Sequence, residues 1–417
     1  MARILVYGYP SDWNFGGPSI ILGFRELARR CRPDLEMVCY ETAPLTPAAV
    51  AGYDFRTRVF PYRRTGRFWA DWLMWRVFGK YPRDAARREF WKDFASAEAV
   101  VNLFGICFCS GPGRIKGPFL RLRALKAMLK KFSPNLAARL SRKKSVKCTC
   151  SYGPAKREFD RICARLASRY FFGVMVAREE ESRSRLAGLS RGRRNTPVAP
   201  DVANLAPVPE TEREDGLAGL VTSYKMEQEW KRGDVSYVDC MAGLARHARR
   251  VHGLRVALIP NQDGYLDGRP LRRGDTAVAK DILARLGGES GVFVAETLGR
   301  PAMETKALLA RCAVVVSPRY HACVAALSSG TPLLTLGWHE KYSELAALYG
   351  QERWMRRAED CSAEELERAF DALFAARAVV SDAIRARAAA VRDAVVASGR
   401  LMLAAEKEDK GKGGSAG

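Results

Sequence analysis

Residues 313–341 read AVVVSPRYHACVAALSSGTPLLTLGWHEK. The opening run, 313–317, is short, apolar and β-branched, as expected of a strand buried on both faces. Ser317-Pro318 stops it, because proline lacks the donor a ladder needs. Residues 320–329 then read as a helix, whose Ala322, Ala325, Ala326, Ser328 and Ser329 are small enough to lie close on a sheet. PLLTL at 332–336 is a second strand. Strand, helix and strand joined by short turns form a βαβ unit, which argues for a parallel sheet covered by helices.

The same alternation extends in both directions. Upstream, 217–223, 254–259 and 291–296 read as strands, and 234–251, 275–286 and 301–311 as helices. With the two strands of the opening unit they predict a domain of about five parallel strands over 217–362. Before the linker-like APVPETEREDG at 206–216, strands are predicted at 3–8, 35–40, 98–105, 146–152 and 170–177. Helices 18–30 and 155–168 lie among them, giving a first domain over 1–205. The expected class is therefore α/β, with two Rossmann-like doubly wound domains facing a cleft. Residues 363–405 read as helices able to pack back across the first domain, and 406–417 as a disordered tail.

Composition narrows the function. The chain has 417 residues, 47% hydrophobic, and a net charge of +23. That is globular, and no apolar run approaches the roughly 18 residues of a spanning helix. MARILVYGYPSD reads as a first strand and lacks the length and cleavage site of a signal peptide, so a cytoplasmic protein is expected. The basic excess attracts phosphates. Eleven cysteines without a secretion signal argue against a disulfide framework. Cys107/Cys109 and Cys148/Cys150 have CxC spacing, which places each pair on one face of a strand. Four thiolates for zinc and simple buried cysteines are the two readings. The four histidines form no HExxH or HxH pair.

Ligands of open α/β sheets bind at the carboxyl ends of strands. Arg319 and His321 stand there, at a helix start where the dipole favours an anion. Arginine grips phosphate or carboxylate, and histidine moves a proton near neutral pH. The alternative is a surface arginine and a capping-region histidine. Lys341, after the next strand, adds a cation at the same edge. Asn14, Gly16 and Gly17 follow the first strand and precede a helix whose free amides suit an anion or sugar oxygen; an ordinary turn before Pro18 is the other reading. Arg178 ends strand 170–177, either facing the cleft or paired with Glu179, Glu180 and Glu181. The Asn/Gln/Asp-rich loop from Pro260 to Asp275 has the polarity to hydrogen-bond a sugar.

Taken in order, these segments resemble the polysaccharide pyruvyl transferase family. GYPSDWNFGGPSIILG is similar to its opening NxGD-type loop, and CSYGPAKREFDRICARLASR to its Gly-Pro segment, which brings in Gly153. VMVAREEESRSRLAGL with APDVANLAP resembles its Arg–acid–Ser and Asp segments. IPNQDG with Asp275 resembles its Pro-His and Asp loop, and VVVSPRYHACVAALSSGTPLLTLGWHEKYSEL its RxHA helix and lysine loop. Gly17 stands where an acidic residue is common and Asn261 where histidine is common. The resemblance implies a glycosyltransferase-B-like fold, with the second domain on the donor side and the first on the acceptor side. It implies phosphoenolpyruvate as donor substrate and a pyruvate ketal bridging two sugar hydroxyls of a surface polysaccharide or its lipid-linked precursor. The scheme calls for no metal or other cofactor. Carried over as catalytic are Arg178, Arg319 and His321; Lys341, Asn14, Gly16, Gly17, Gly153 and Asn261 are the binding candidates. A nucleotide-sugar glycosyltransferase and a non-catalytic glycan- or nucleic-acid-binding protein are the competing classes.

The charge is concentrated. Residues 114–147 hold twelve Lys/Arg and no Asp or Glu, with Phe119, Leu122, Leu125, Leu129 and Phe132 at helical spacing. Residues 62–94 place Trp69, Trp72, Trp75 and Trp91 among arginines. These two insertions read as a basic, aromatic surface for an anionic membrane, at the inner face of the cytoplasmic membrane. A core helix with a solvated basic face is the alternative. Nucleic acid has charge in its favour but no motif, and is not expected as a partner.

Overall fold

The computed structural model describes residues 2–8, 13–42, 46–109, 117–189, 196–208, 210–230, 235–266, 269–270, 273–359 and 361–404. The predicted tail 406–417, and parts of the 9–17, 114–147 and 260–275 readings, lie outside these residues.

The first sheet contains β1 (Arg3–Tyr7), β2 (Glu36–Glu41), β3 (Arg56–Val59), β4 (Ala97–Asn102), β5 (Ile106–Cys107), β6 (Lys144–Tyr152) and β7 (Val174–Ala177). All pairings are parallel. Spatial order is β3-β2-β1-β4-β6-β7, with short β5 running beside the far end of β6. The second sheet is built from β8 (Glu214–Val221), β9 (Arg255–Ile259), β12 (Val292–Val294), β13 (Cys312–Ser317), β14 (Leu333–Gly337) and β15 (Met355–Arg357). Between β9 and β12, β10 (Tyr265–Leu266) and β11 (Arg269–Pro270) pair as a small antiparallel ribbon. The second sheet is also wholly parallel, in the order β12-β9-β8-β13-β14-β15. Leaving aside β5, each domain runs 3-2-1-4-5-6, the doubly wound order whose switch point lies between its first and fourth strands. Asn102 ends β4 at one switch point. Ser317 ends β13 at the other and delivers Arg319 and His321 there.

Several elements differ from the sequence reading. The second sheet has six strands, because the charged MRR of β15 lacks an apolar run. Strand 170–177 begins only at Val174, and Ala167–Phe171 form a π-turn that ends the preceding helix. Glu214 to Gly216, placed in the linker, start β8. Cys148 and Cys150 do not share a face: Cys148 packs in the main core, Cys150 with Cys107 in a second cluster. The register of β6 against β7 slips between Lys147 and Cys150, which turns the strand over. The tryptophans are not a surface belt. Trp91 is fully buried, Trp75 stacks on it with ring centroids 5.5 Å apart, and Trp69 and Trp72 pack edge to face.

The main core runs through both domains. The Gly16–Cys31 helix crosses the short helix Val202–Leu205 so closely that a Cβ at Gly23 would lie 2.0 Å from Val202 O. The Arg377–Leu403 helix returns to the first domain, seating Gly399 against Leu27 and Cys31. Lys144 Nζ donates to Leu401 O at 2.9 Å and Ala404 O at 2.8 Å. Gly23→Ala is expected to destabilise the protein by about 1–3 kcal/mol, since backbone must shift to admit the methyl. Denaturant titration checks this, and an unchanged midpoint would contradict the packing described.

Candidate active site

Arg178 follows β7 directly, and its side chain is only 2% exposed. Its guanidinium donates to Glu179 Oε1 at 2.7 Å, Asp201 Oδ2 at 2.7 Å and Ser151 Oγ at 2.5 Å. It also lies 4.2 Å from the centre of the Tyr320 ring, which belongs to the other domain. Arg178 thus has two buried carboxylates as partners, one of them the adjacent Glu179. Glu179 further accepts from Ser151 and Ser182, and its pKa stays below the ordinary value despite burial.

Asp201 caps the Val202–Leu205 helix by accepting from Ala203 N at 2.9 Å. Burial opposes its charge, but His321 and Arg178 outweigh that and hold its carboxyl well below the usual range. His321 is the second residue of the Tyr320–Ser328 helix, with Nε2 3.6 Å from Asp201 Oδ2, an ion-pair distance too long for a hydrogen bond. Among the described residues this enclosed Nε2 has no hydrogen-bond partner. Burial, then the charges of Arg178 and Lys341, lower the imidazole pKa below 6.5 against the pull of Asp201. His321 is therefore mostly neutral at pH 7.

Arg319 caps the same helix in sequence but reaches sideways. It chelates the fully buried Asp275, with Nε 3.0 Å from Oδ2 and a second contact to Oδ1, and donates to Gln262 Oε1 at 3.2 Å. Asp275 is held in turn by Tyr224 N at 2.8 Å and Gln262 N at 2.9 Å. Both arginines are thus fixed by aspartates that also organise backbone.

Lys341 differs. It is buried, and its Nζ lies 5.0 Å from the Trp338 ring centre and 5.4 Å from those of Tyr320 and Tyr342. Its backbone N donates to His339 Nδ1 at 3.3 Å, but among the described residues its amine has no hydrogen-bond or ion-pair partner. Burial first, then Arg178 and Arg319, push its ammonium down to about 7. The Tyr320 ring is thus within reach of both Arg178 of the first domain and Lys341 of the second.

Residues 13–15, just before the Gly16–Cys31 helix, meet the second domain. Asn14 Oδ1 accepts from Gly16 N at 2.8 Å, satisfying the first amide of the helix, and Asn14 bridges to Gln262. Phe15 N donates to Asn261 O at 3.0 Å. Asn261 is buried, and its Nδ2 has no partner among the described residues. A Cβ on Gly16 would lie 2.4 Å from His321 Nδ1, so glycine is needed for the helix start to meet the imidazole. Gly17 comes next, buried in the first turn. Gly153 has φ +74° at the end of β6, a left-handed conformation suited to glycine, and its carbonyl accepts from Cys109 Sγ at 2.8 Å. A cavity of about 350 Å³ lies between Pro154 and Arg185 on one side and Trp338, His339 and Glu340 on the other. Arg185 and Glu340 pair across it at 2.5 Å.

The structure thus brings Arg178, Arg319, His321 and Lys341 to one inter-domain region, with Asn14, Gly16, Gly17 and Asn261 along its wall and Gly153 at the strand end beyond. Asp201, Asp275, Tyr320, Glu179 and Ser151 were not among the predicted site residues. Three of them left a trace in the sequence: Glu179 as one reading of the Arg178 partner, which the ion pair bears out, and Asp201 and Asp275 in the segments that carry the resemblance. Gly16→Ala is expected to lower kcat by roughly 10²-fold through a displaced imidazole, with little change in Tm. Wild-type kcat would contradict the contact.

Two Rossmann-like domains meeting over a cation-lined cleft define a glycosyltransferase-B-like fold. Solved structures agree. A UDP-GlcNAc 2-epimerase from Neisseria meningitidis bound to UDP-GlcNAc superposes with TM-score 0.55 at 10% identity, covering 96% of this chain and 100% of that one. The Anabaena protein Alr3699/HepE in complex with UDP-glucose gives 0.56 at 12%, covering 96% and 98%. The UDP-GlcNAc 2-epimerase from Methanocaldococcus jannaschii gives 0.51 at 9%, covering 89% and 92%. At such identities the likeness is one of fold. No curated protein matches the sequence. The family model for polysaccharide pyruvyl transferase matches residues 111–340, more than half of the chain. The chain belongs to that family of transferases.

Proposed function

We propose that the protein moves the pyruvyl group of phosphoenolpyruvate onto two hydroxyls of one sugar in a surface polysaccharide or its lipid-linked precursor. The observation that carries this reading is the contrast among the cations. Arg178 and Arg319 are matched by carboxylates, whereas His321 Nε2 is buried without a hydrogen-bond partner and the Lys341 amine, on a residue 9% exposed, makes no hydrogen bond or ion pair among the described residues. Glu179, Asp201 and Asp275 offset Arg178, Arg319 and a protonated Lys341, so the groups held ready for a small anion are the amine and the imidazole rather than a net positive charge.

The chemistry is set by the donor. A proton adds to the methylene carbon, and C2 becomes electrophilic. One sugar hydroxyl attacks C2 and gives up its proton. The second hydroxyl then replaces phosphate at C2, its proton leaving with the phosphate as hydrogen phosphate, while the proton of the first hydroxyl balances the one added to the methylene carbon. Lys341 meets the phosphate or carboxylate and gains its proton as the anion arrives. Neutral His321, beside Asp201, accepts a hydroxyl proton, and Asp201 stabilises the imidazolium. Arg178 positions Asp201, and Arg319 holds the helix start through Asp275.

Incubation with an acceptor glycan and labelled phosphoenolpyruvate, in parallel with labelled nucleotide sugars, tests the proposal. Label incorporated from phosphoenolpyruvate with release of one phosphate is expected. Incorporation from a nucleotide sugar alone would replace it with the glycosyltransferase reading.

A further inference from the structure

The Leu120–Leu140 helix buries Ala124, Met128 and Phe132 against the first domain. Its outer side is unusual. Phe119 just before it is 75% exposed, Leu122 48% and Leu125 37%, and the exposed residues between and after them are Arg121, Arg123, Lys126 and Lys130. The basic segment 114–147 divides accordingly. Lys143, Lys144 and Lys147 spend their ammonium groups on backbone carbonyls within the fold. Arg121, Lys126 and Lys130 on the first half of the helix are exposed instead, among apolar side chains.

A second stretch repeats the pattern. The Thr65–Phe78 helix turns its tryptophans inward and exposes Leu73, Met74, Val77 and Phe78, followed by Tyr81, beside exposed Arg76 and Lys80. The two helices touch, with Trp72 Nε1 donating to Ser141 Oγ at 3.3 Å.

A solvated helix face does not need exposed Phe and Leu, and nucleic acid would meet the charges without covering those side chains. An anionic bilayer supplies both partners: headgroup charge for the bases and a shallow apolar layer for the rings and branched chains. The placement is apt. Lys131 of the same helix lies 4.4 Å from the Phe104 ring centre, and a Cβ on the next residue, Gly105, would lie 3.8 Å from Arg178 Nη1 in the cleft. The face is therefore carried by a helix that borders the cleft.

We propose that the outer sides of these two helices dock the protein on an anionic phospholipid surface. The docking stands on the surface itself; that the docked lipid presents the acceptor rests on the proposed function. Vesicle flotation of the full chain tests it, with phosphatidylcholine alone and with phosphatidylcholine containing phosphatidylglycerol. Co-flotation with the anionic vesicles only, weakening as salt rises, is expected. Arg121→Ala/Lys126→Ala/Lys130→Ala should weaken binding by roughly fivefold per residue replaced. Phe119→Ser/Leu122→Ser/Leu125→Ser keeps every charge and should weaken vesicle binding as well. All six sites are exposed, and circular dichroism verifies folding. Equal flotation with both vesicles, flotation with neither, or unchanged binding of both variants would overturn the proposal. So would binding of a single-stranded oligonucleotide that the serine variant retains while vesicles are ignored. Flotation uses neither phosphoenolpyruvate nor acceptor, so a failed transfer assay leaves its outcome standing.

Discussion

His321→Ala is expected to lower kcat/KM for pyruvyl transfer by roughly 10²- to 10⁴-fold, the usual range for a positioned acid–base group. The loss should fall mainly on kcat, because Lys341 and the arginine-held frame remain to bind the donor. The wild-type enzyme should also show an acid limb. Burial and the neighbouring cations hold the imidazole below 6.5, so activity that needs it neutral rises with pH along a limb displaced to lower pH than that of an ordinary histidine. The alanine variant should lack the limb. A variant with wild-type kcat/KM, or one that keeps the limb, would remove His321 from the chemistry.

Lys341→Met should separate binding from stability. The amine is buried among Trp338, Tyr320 and Tyr342 without a counterion among the described residues, so methionine fits the apolar surroundings at no desolvation cost. Donor KM is expected to rise by about 10²-fold or more, the scale of losing a charged hydrogen bond in a buried site. Thermal stability should hold or improve. The pH dependence gives a second check. Folding moves the amine from 10.5 to about 7, so the unfolded chain binds more protons between those values. Wild-type stability therefore rises with pH across that window, and Lys341→Met should flatten the rise. Titration of phosphoenolpyruvate above pH 7, in buffers of different ionisation enthalpy, should show proton uptake that the variant loses. A variant with unaltered donor KM would place the anion elsewhere.

The sheets were legible because their central strands are runs of four to six apolar, largely β-branched residues between turn signals. LRVALI and AVVVS leave little alternative. β15 and β5 were not legible, since three charged-flanked residues and a dipeptide carry no periodicity. In the Thr65–Phe78 helix, apolar residues lie all round, so spacing alone does not tell that the tryptophans turn inward and Leu73, Val77 and Phe78 outward. Arg319 and His321 were readable because a buried strand ending in Ser-Pro must deliver the next few residues to the sheet edge. Their partners were not readable. Asp275 meets Arg319, and Asp201 meets His321, only after two sheets have folded and faced each other. The same holds for Tyr320, whose ring meets both Arg178 and Lys341 although they lie 142 and 21 positions from it in the chain.

The core that passes between the domains has a consequence for how the protein can be taken apart. Gly23 on Val202, Gly399 on Leu27 and Lys306 on the Ala206 carbonyl are seams inside one hydrophobic body, in which the last long helix serves the first domain. The halves are thus poor modules. A first domain expressed alone would expose the flank where the C-terminal helix lies, and a chimera joined at the linker would inherit mismatched seams. Acceptor preference is better changed by grafting loops at the strand ends than by exchanging whole domains.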